Sequence, residues 1–199
     1  MKLPKKLTQG VTGNLFYALL GVLAAVIFYY VILRLALATD TPIVAVVSDS
    51  MYHGPTTHPD PNKRTLCDVK VEKYQSMDSF WNICGSTYRQ FNITKEQFMS
   101  FSFSNGFHAG DMPIVKGSDK YTIGSVIVFS VPDLSVPIIH RIVKINEDGT
   151  YQTKGDNNDG QNPYEFSVSK EQIHGKVIFI IPKVGYIKMG LVEILGAVK

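Results

Sequence analysis

The sequence predicts a mainly β protein, in which an antiparallel β-rich domain follows an N-terminal transmembrane helix. An uncharged apolar run near the N-terminus is long enough to cross a bilayer. After residue 107, short β-branched runs alternate with turn residues, a pattern typical of antiparallel strands rather than of alternating strands and helices. The length of 199 residues accommodates one compact domain and one membrane segment, but not two ordinary domains.

The apolar run extends over 19 residues, from Leu15 to Leu33, and contains no charged side chain. At ~1.5 Å of rise per residue, a helix of this length spans roughly 28 Å, close to the ~30 Å hydrocarbon core of a bilayer. Three lysines precede the run, and the first acidic residue is Asp40. The positive-inside rule therefore predicts a single-pass protein of the cell membrane with a cytoplasmic N-terminus.

These signals divide the chain into a cytoplasmic N-terminus at 1–14, a transmembrane anchor at 15–38 and an extracytoplasmic β-rich domain at 39–183. A cleaved secretory signal peptide is the alternative, because Ala36-Leu37-Ala38 resembles a small-x-small cleavage site. The length of the run favours an uncleaved anchor, since the apolar part of a signal peptide usually has ~7–15 residues. Both interpretations place the remaining chain outside the cytoplasm.

Several β-branched runs predict the strands of the domain. The first, Ile43 to Val47, should leave the membrane surface as a strand and deliver Ser50 at its end. The later runs are Met112 to Val115, Ser125 to Val131, Pro137 to Ile145, Thr150 to Lys154 and Gly175 to Ile181. The C-terminal residues 184–199 are apolar with few charges, and we expect an amphipathic or membrane-associated segment there.

Residues 52–106 form a predicted insertion between the first strand and the others, and its role does not follow from the sequence. Thr94-Lys95-Glu96-Gln97 has the pattern of a helix start with Thr94 as the cap. Cys67 and Cys84 both fall on the outer side of the membrane. They are expected to form either one disulfide or two independent buried thiols.

Composition argues against several classes of partner. The net charge is +3, and the basic residues are scattered rather than clustered beside aromatic ones, so no nucleic-acid partner is expected. His53, His58 and Asp60 are potential metal ligands, but their spacing matches no common metal site. A metal site at these residues is therefore not expected.

The candidate catalytic groups are a serine and a histidine. A serine hydroxyl becomes a good nucleophile when a neighbouring base takes its proton, and histidine suits neutral pH. Among the histidines, His140 alone lies within a strand-like run. Asp148-Gly149 predicts a hairpin in which residue numbers of opposing pairs sum to 297 or 296, so that His140 faces Asn157 or Asp156. Both registers place the carboxylate of Asp156 beside His140, where it could orient the imidazole.

Three short motifs resemble those of the type I signal peptidases, in the archaeal and endoplasmic-reticulum branch of that family. They are Ser48-Asp49-Ser50-Met51, His140-Arg141-Ile142 and Lys154-Gly155-Asp156-Asn157-Asn158. The resemblance covers about residues 15–51 and 100–182. It implies a β-rich peptidase domain on the outer membrane face that cleaves signal peptides after small residues. The implied partners are signal-peptide-bearing preproteins, the lipid bilayer and the translocation machinery. The resemblance implies no metal and no cofactor.

The resemblance also implies individual roles. Ser50 would be the nucleophile and His140 its base, while the Ser48 hydroxyl and the Ser50 backbone N–H would hold the oxyanion. Lys154 as the base of a Ser–Lys pair is an alternative.

The third member of the triad is open. Asn162 stands at a position where related members often carry a second acidic residue. Asp156, Asp159 and Glu165 are therefore all candidates for the orienting carboxylate.

A second hypothesis comes from a different class of function. The same anchor and strands would suit a membrane-anchored extracytoplasmic β-domain that binds proteins without catalysis. Such a domain has no need of Ser50 and His140 together, so these two residues discriminate between the hypotheses.

Overall fold

A computed structural model describes residues 10–57, 60–132, 134–187 and 190. The N-terminal helix consists of α1 (Gly10–Ile27), a π-helical segment (Phe28–Leu33) and α2 (Arg34–Leu37). It is long and apolar enough to cross a membrane, and most of its large apolar side chains are exposed rather than packed against the domain. The helix ends where Ala38 adopts a left-handed conformation with φ of 48°.

Within the described residues, the main sheet has five antiparallel strands in the order β3-β7-β4-β5-β6. The strands are β3 (Met112–Lys116), β4 (Val126–Phe129), β5 (Ile138–Ile145), β6 (Tyr151–Lys154) and β7 (Ile173–Ile181). Each coincides with a predicted run apart from small differences at the ends, and the mainly β fold class is confirmed. Every residue of the central strand β4 is buried, so apolar side chains pack on both faces of the sheet.

The predicted strand at Ile43–Val47 is only partly formed. This segment lies extended along β3, where Val44 N–H donates to the Pro113 carbonyl at 3.2 Å and Val46 N–H donates to the Asp111 carbonyl at 3.0 Å. Regular pairing cannot continue because Pro113 has no N–H to donate in return. What remains is a single bridge between Ile43 and Ile114. The segment nevertheless fixes the approach to Ser50, since Val44 and Val46 are buried in the core.

The insertion contains two helices and a small ribbon. The helices are α3 (Met77–Arg89) and α4 (Lys95–Ser100), and the ribbon pairs β1 (Thr65–Leu66) with β2 (Val69–Lys70). The predicted start of α4 is confirmed: Thr94 Oγ1 accepts the Gln97 N–H at 3.2 Å, and Gln97 Oε1 accepts the Thr94 N–H at 2.8 Å. Helix α3 was not predicted.

A disulfide between Cys67 and Cys84 joins the ribbon to α3, with the two Cα atoms 5.6 Å apart. This settles the alternative between a disulfide and two free thiols. The disulfide belongs to a core built mainly from the insertion, to which β5 contributes one residue; the buried members are Leu66, Cys67, Val71, Phe80, Trp81, Cys84, Tyr88, Ile93, Phe98 and Val143. The insertion is therefore packed against the sheet.

Replacement of the α4 cap should lower the stability of the domain. Thr94→Ala removes the side-chain oxygen that accepts the Gln97 N–H, and loss of such a cap typically costs about 1 kcal/mol. Urea denaturation of the purified protein in detergent measures the effect. Thr94→Ser is the matched control, because serine keeps the accepting oxygen. Equal stability of the alanine and serine variants would contradict the prediction.

Candidate active site

Backbone contacts on both sides hold Ser50 at the end of the extended segment. The Asn157 N–H donates to the Ser50 carbonyl at 2.7 Å, and the Tyr52 N–H donates to the Asp49 carbonyl at 2.9 Å, which closes a turn around Ser50. The following side chain, Met51, is buried in the core. The Ser50 side chain is thus presented from a fixed backbone at the protein surface.

The structure brings Ser50 and His140 together although they are far apart in the sequence. His140 is buried on β5, and its Nε2 atom lies 3.0 Å from the Ser50 Oγ atom. This distance is within the range for direct proton transfer between a hydroxyl and an imidazole.

The carboxylate beside the imidazole is that of Glu165. Its Oε1 atom lies 2.5 Å from His140 Nδ1 and accepts a hydrogen bond from Thr153 Oγ1 at 3.2 Å. Its Oε2 atom accepts the backbone N–H of Asn162 at 2.9 Å and the Asn162 side-chain amide at 3.0 Å. Burial alone would raise the pKa of Glu165, but the hydrogen bonds and charge of its partners lower this pKa below its usual value. Glu165 is therefore held as an anion against His140.

The expectation that Asp156 lies beside His140 is wrong. The Asp156 carboxylate instead accepts hydrogen bonds from Arg141 Nε at 2.9 Å and from the Arg141 terminal nitrogen at 2.7 Å. It also accepts the Tyr88 hydroxyl at 2.6 Å. Burial alone would raise the Asp156 pKa, but the Arg141 charge and the His53 contact hold this pKa well below its usual range.

The cause of this difference is a register shift in the hairpin. Near the turn, Ile145 pairs with Tyr151, which is one of the two expected registers. The register then shifts between Ile142 and Lys144, and Arg141 pairs with Lys154. Since neighbouring residues of a strand point to opposite faces, a one-residue shift brings Asp156 to Arg141 rather than to the imidazole.

Gly155 lies directly behind the contact between serine and histidine. A Cβ atom at this position would be 2.8 Å from His140 Nε2 and 2.9 Å from the Ser50 carbonyl oxygen. Any side chain would therefore push the two residues apart.

The other predicted site residues occupy the periphery. Ser48 is exposed, and its Oγ atom lies 3.3 Å from Ser50 Oγ, close enough to contact a group bound at the serine. Asp159 is exposed in the loop after Asn158, and among the contacts of the described residues none joins it to His140. Of the residues considered as metal ligands, His53 is buried with its Nε2 atom 3.2 Å from Asp156, and His58 lies outside the described residues.

Two grooves meet at Ser50. The first, of about 290 Å³, has mostly apolar walls that include Val46, Phe107, Val136 and Ile139. The second, of about 580 Å³, is open and more polar, with Asp49, Thr57 and Asn158 in its lining. An extended peptide could thus lie across the serine with an apolar groove on one side.

Lys154 is completely buried behind the site. Its Nζ atom donates to the Gly155 carbonyl at 2.8 Å and lies 4.7 Å from the centre of the Tyr88 ring. Burial lowers the pKa of Lys154 to about 8. The side chain that contacts the Ser50 hydroxyl is therefore that of His140, whereas the Lys154 ammonium contacts the Gly155 carbonyl.

The fold and site define a class of protein. A serine, an imidazole and a buried carboxylate, joined in sequence by hydrogen bonds, form the arrangement that serine hydrolases use to activate a nucleophile. Here the arrangement lies on an antiparallel β domain that follows an apolar helix of membrane-spanning length.

Comparisons with known proteins specify the class further. The chain is 31% identical to "Signal peptidase complex catalytic subunit SEC11C" of Rattus norvegicus over 124 residues, covering 50% of this chain and 62% of the relative. It is 30% identical to the Homo sapiens protein of the same name, with the same coverage. The similar protein of Dictyostelium discoideum, "Signal peptidase complex catalytic subunit sec11", is 32% identical over 99 residues, covering 45% of this chain and 55% of the relative.

The chain thus spans about six-tenths of the length of the mammalian relatives that it matches. No protein-family model matches it. The matches confirm the resemblance that the three motifs indicate: over about half its length, the chain is similar to signal peptidase catalytic subunits.

The buried lysine predicts a specific pH dependence of stability. Because the Lys154 pKa is about 8 in the folded protein and about 10.4 when the chain is unfolded, the unfolded chain binds more protons between these values. The free energy of unfolding should therefore rise with pH in this window. Urea denaturation of the wild type and of Lys154→Met measures the effect. Between pH 7.5 and 9.5, the free energy of unfolding of the wild type should rise by about 2 kcal/mol relative to that of the variant. A difference that stays constant with pH would contradict the burial of the ammonium group.

Proposed function

We propose that this chain is a membrane-anchored serine endopeptidase that removes signal peptides from exported preproteins by cleavage after small residues. The observation that carries the proposal is the 3.0 Å contact between Ser50 Oγ and His140 Nε2. The similarity to signal peptidase catalytic subunits supports the choice of substrate.

The site residues can perform acyl transfer in two steps. As Ser50 Oγ attacks the scissile carbonyl carbon, His140 Nε2 takes the hydroxyl proton and then gives it to the leaving amine. Water then attacks the acyl carbon while His140 takes a proton from it, and the bond from that carbon to Ser50 Oγ breaks as His140 returns the proton to the serine oxygen. Glu165 accepts the Nδ1–H of His140, which keeps Nε2 free to act as a base and stabilises the imidazolium that forms.

Ser48 and the Ser50 backbone N–H are proposed to stabilise the oxyanion. The Ser48 hydroxyl projects beside the nucleophile, with the two oxygens 3.3 Å apart. Removal of one oxyanion donor typically raises the barrier by about 3 kcal/mol. Ser48 should therefore assist turnover without being indispensable.

The apolar groove is proposed to bind the small side chains that precede the cleavage site. Its volume of about 290 Å³ includes open space beside the nucleophile, and its walls from the 43–47 segment and β5 are mainly aliphatic. Such walls favour small apolar groups over charged ones. An extended peptide would place alternate residues, −1 and −3, on the same side.

The proposed location is the cell membrane, with residues 15–38 as the single span, a cytoplasmic N-terminus and residues 39–183 outside. The chain from Leu37 to Ser50 can extend at most about 45 Å, so the site must stay near the bilayer surface. A preprotein whose apolar signal segment lies in the same bilayer would then present its cleavage site at a suitable height. The Cys67–Cys84 disulfide also fits an oxidising compartment.

The proposed partners are signal-peptide-bearing preproteins, the bilayer and the translocation machinery. The names of the relatives describe catalytic subunits of a complex, which supports an association with further subunits. A domain that only binds proteins would not require the alignment of Ser50, His140 and Glu165.

Removal of the nucleophile provides the direct test of the function. Ser50→Ala should lower kcat by at least 10³-fold in cleavage of a preprotein with an Ala-x-Ala site, using the full chain in detergent. Ser130→Ala is the matched control, because Ser130 Oγ also contacts a histidine, at 2.7 Å from His174 Nε2, outside the candidate site. Undiminished cleavage by Ser50→Ala, with Ser130→Ala equally active, would reject the mechanism.

Substitution of the three carboxylates identifies the orienting group. Glu165→Gln should lower kcat by about 10²–10⁴-fold, because an amide can stabilise the wrong imidazole tautomer and supplies no negative charge. Asp159→Asn should leave kcat nearly unchanged, since Asp159 is exposed. Asp156→Asn should act mainly by destabilising the fold around Arg141, which near-UV circular dichroism would detect. A larger loss of kcat for Asp159→Asn than for Glu165→Gln would contradict the assignment.

A further inference from the structure

The turn that connects β1 and β2 is held in an unusual conformation. Its two central residues, Cys67 and Asp68, have positive φ values of 47° and 63°. A two-residue turn of this kind favours glycine or asparagine, because a side chain destabilises the left-handed conformation. The disulfide to Cys84 connects this turn covalently to helix α3. The conformation is therefore fixed by a bond outside the ribbon itself.

The same turn contacts the residue that holds the nucleophile. The backbone N–H of Cys67 donates to both oxygens of Asn157, at 3.2 Å to the backbone carbonyl and at 3.1 Å to Oδ1. Asn157 in turn donates its backbone N–H to the Ser50 carbonyl at 2.7 Å. Its side-chain amide donates to the carbonyls of Asp49 at 3.2 Å and Gly54 at 3.3 Å. Asn157 thus connects the disulfide-bonded turn to both sides of Ser50.

Helix α3 reaches the active-site loop at a second point. Tyr88 lies one helical turn after Cys84, and its hydroxyl donates to Asp156 at 2.6 Å. Asp156 directly precedes Asn157. The helix therefore supports adjacent residues of this loop, one through Tyr88 and the other through the disulfide and Cys67.

We propose that the Cys67–Cys84 disulfide is a positioning element for the nucleophile, acting through Asn157 on the Ser50 backbone. This inference rests on the proposed function and assigns a role to the 52–106 insertion. Without the disulfide, the Cys67 turn can leave the left-handed conformation, and the hydrogen bonds to Asn157 weaken. The Ser50 Oγ atom would then spend less time at hydrogen-bonding distance from His140.

The predicted effect falls on turnover rather than on substrate binding. The walls of the apolar groove come from the 43–47 segment, Phe107 and β5, and the disulfide residues are not among them. Misplacement of a catalytic group by about 1 Å can lower a rate by 10²-fold. Loss of the disulfide should therefore lower kcat while KM changes little.

The experiment compares wild type with the double variant Cys67→Ala/Cys84→Ala, as full chains in detergent. Alanine at position 67 keeps the backbone N–H that contacts Asn157, so the variant removes the covalent connection together with the two buried sulfur atoms. We expect kcat to fall about tenfold or more, with KM within about twofold of wild type. Val131→Ala, in a buried cluster that shares no residue with the core around the disulfide, is the control for a general loss of stability. A kcat equal to that of wild type, or no lower than that of Val131→Ala, would overturn the proposal.

Amide hydrogen exchange gives a readout that does not require catalysis. The Asn157 amide should exchange faster in the double variant, whereas the Val128 amide in the central strand should keep its wild-type rate. An unchanged Asn157 rate would overturn the proposal. If the wild type cleaves no preprotein, the proposed function fails, and exchange at Asn157 still decides whether the disulfide positions this loop.

A second route applies should the double variant not fold. The folded wild type is treated with dithiothreitol, whose two thiols donate two electrons and two protons, so that the disulfide becomes two thiols and the reagent becomes a cyclic disulfide. Mass spectrometry after thiol alkylation verifies the reduction. Reversible loss of kcat, restored on reoxidation, would support the proposal, and full activity of the reduced protein would overturn it.

Discussion

The geometry of the candidate active site depends on the buried ion pair between Arg141 and Asp156. Neither side chain is exposed, and the guanidinium donates to both carboxylate oxygens as well as to the carbonyls of Ser102, Phe103 and Gly124. Burial disfavours both charges, and the pair is stable because each of the five N–H groups of the guanidinium has an acceptor. Since Arg141 follows His140 and Asp156 follows Gly155, the ion pair fixes the imidazole strand against the loop that holds Ser50.

Much of the fold could be predicted because its signals are local. The β-branched runs after residue 107, the Asp148-Gly149 turn and the Thr94 cap each depend on residues within a few positions of one another, and each produced the expected structure. Helix α3 also has a local signal, since Phe80, Cys84 and Tyr88 recur at intervals of four residues. The helix was not predicted because further aromatic residues nearby, such as Trp81 and Phe91, obscure this interval. The partial strand at 43–47 depends instead on Pro113, a distant residue.

The site could be predicted only in part, because its geometry depends on contacts between distant residues. The types of residue at Ser50 and His140 already indicated a nucleophile and a base, but the partner of the imidazole depends on one register shift in β5. No sequence pattern marks that shift. The contacts of the insertion with the Asp156-Asn157 loop could not be predicted either. Tyr88 and Cys67 reach this loop only because α3 packs on the sheet.

The two buried carboxylates near the histidine, Asp156 and Glu165, have different environments, and the amide of Asn162 belongs to only one of them. The charge of Asp156 is balanced by Arg141, and this ion pair stabilises the fold. The shortest contact of Glu165 is instead with His140. Asn162 could not replace a carboxylate, yet its backbone and side-chain N–H groups both donate to Glu165 Oε2. These two bonds direct the other oxygen, Oε1, toward the imidazole. The amide therefore orients an acidic residue three positions later in the chain.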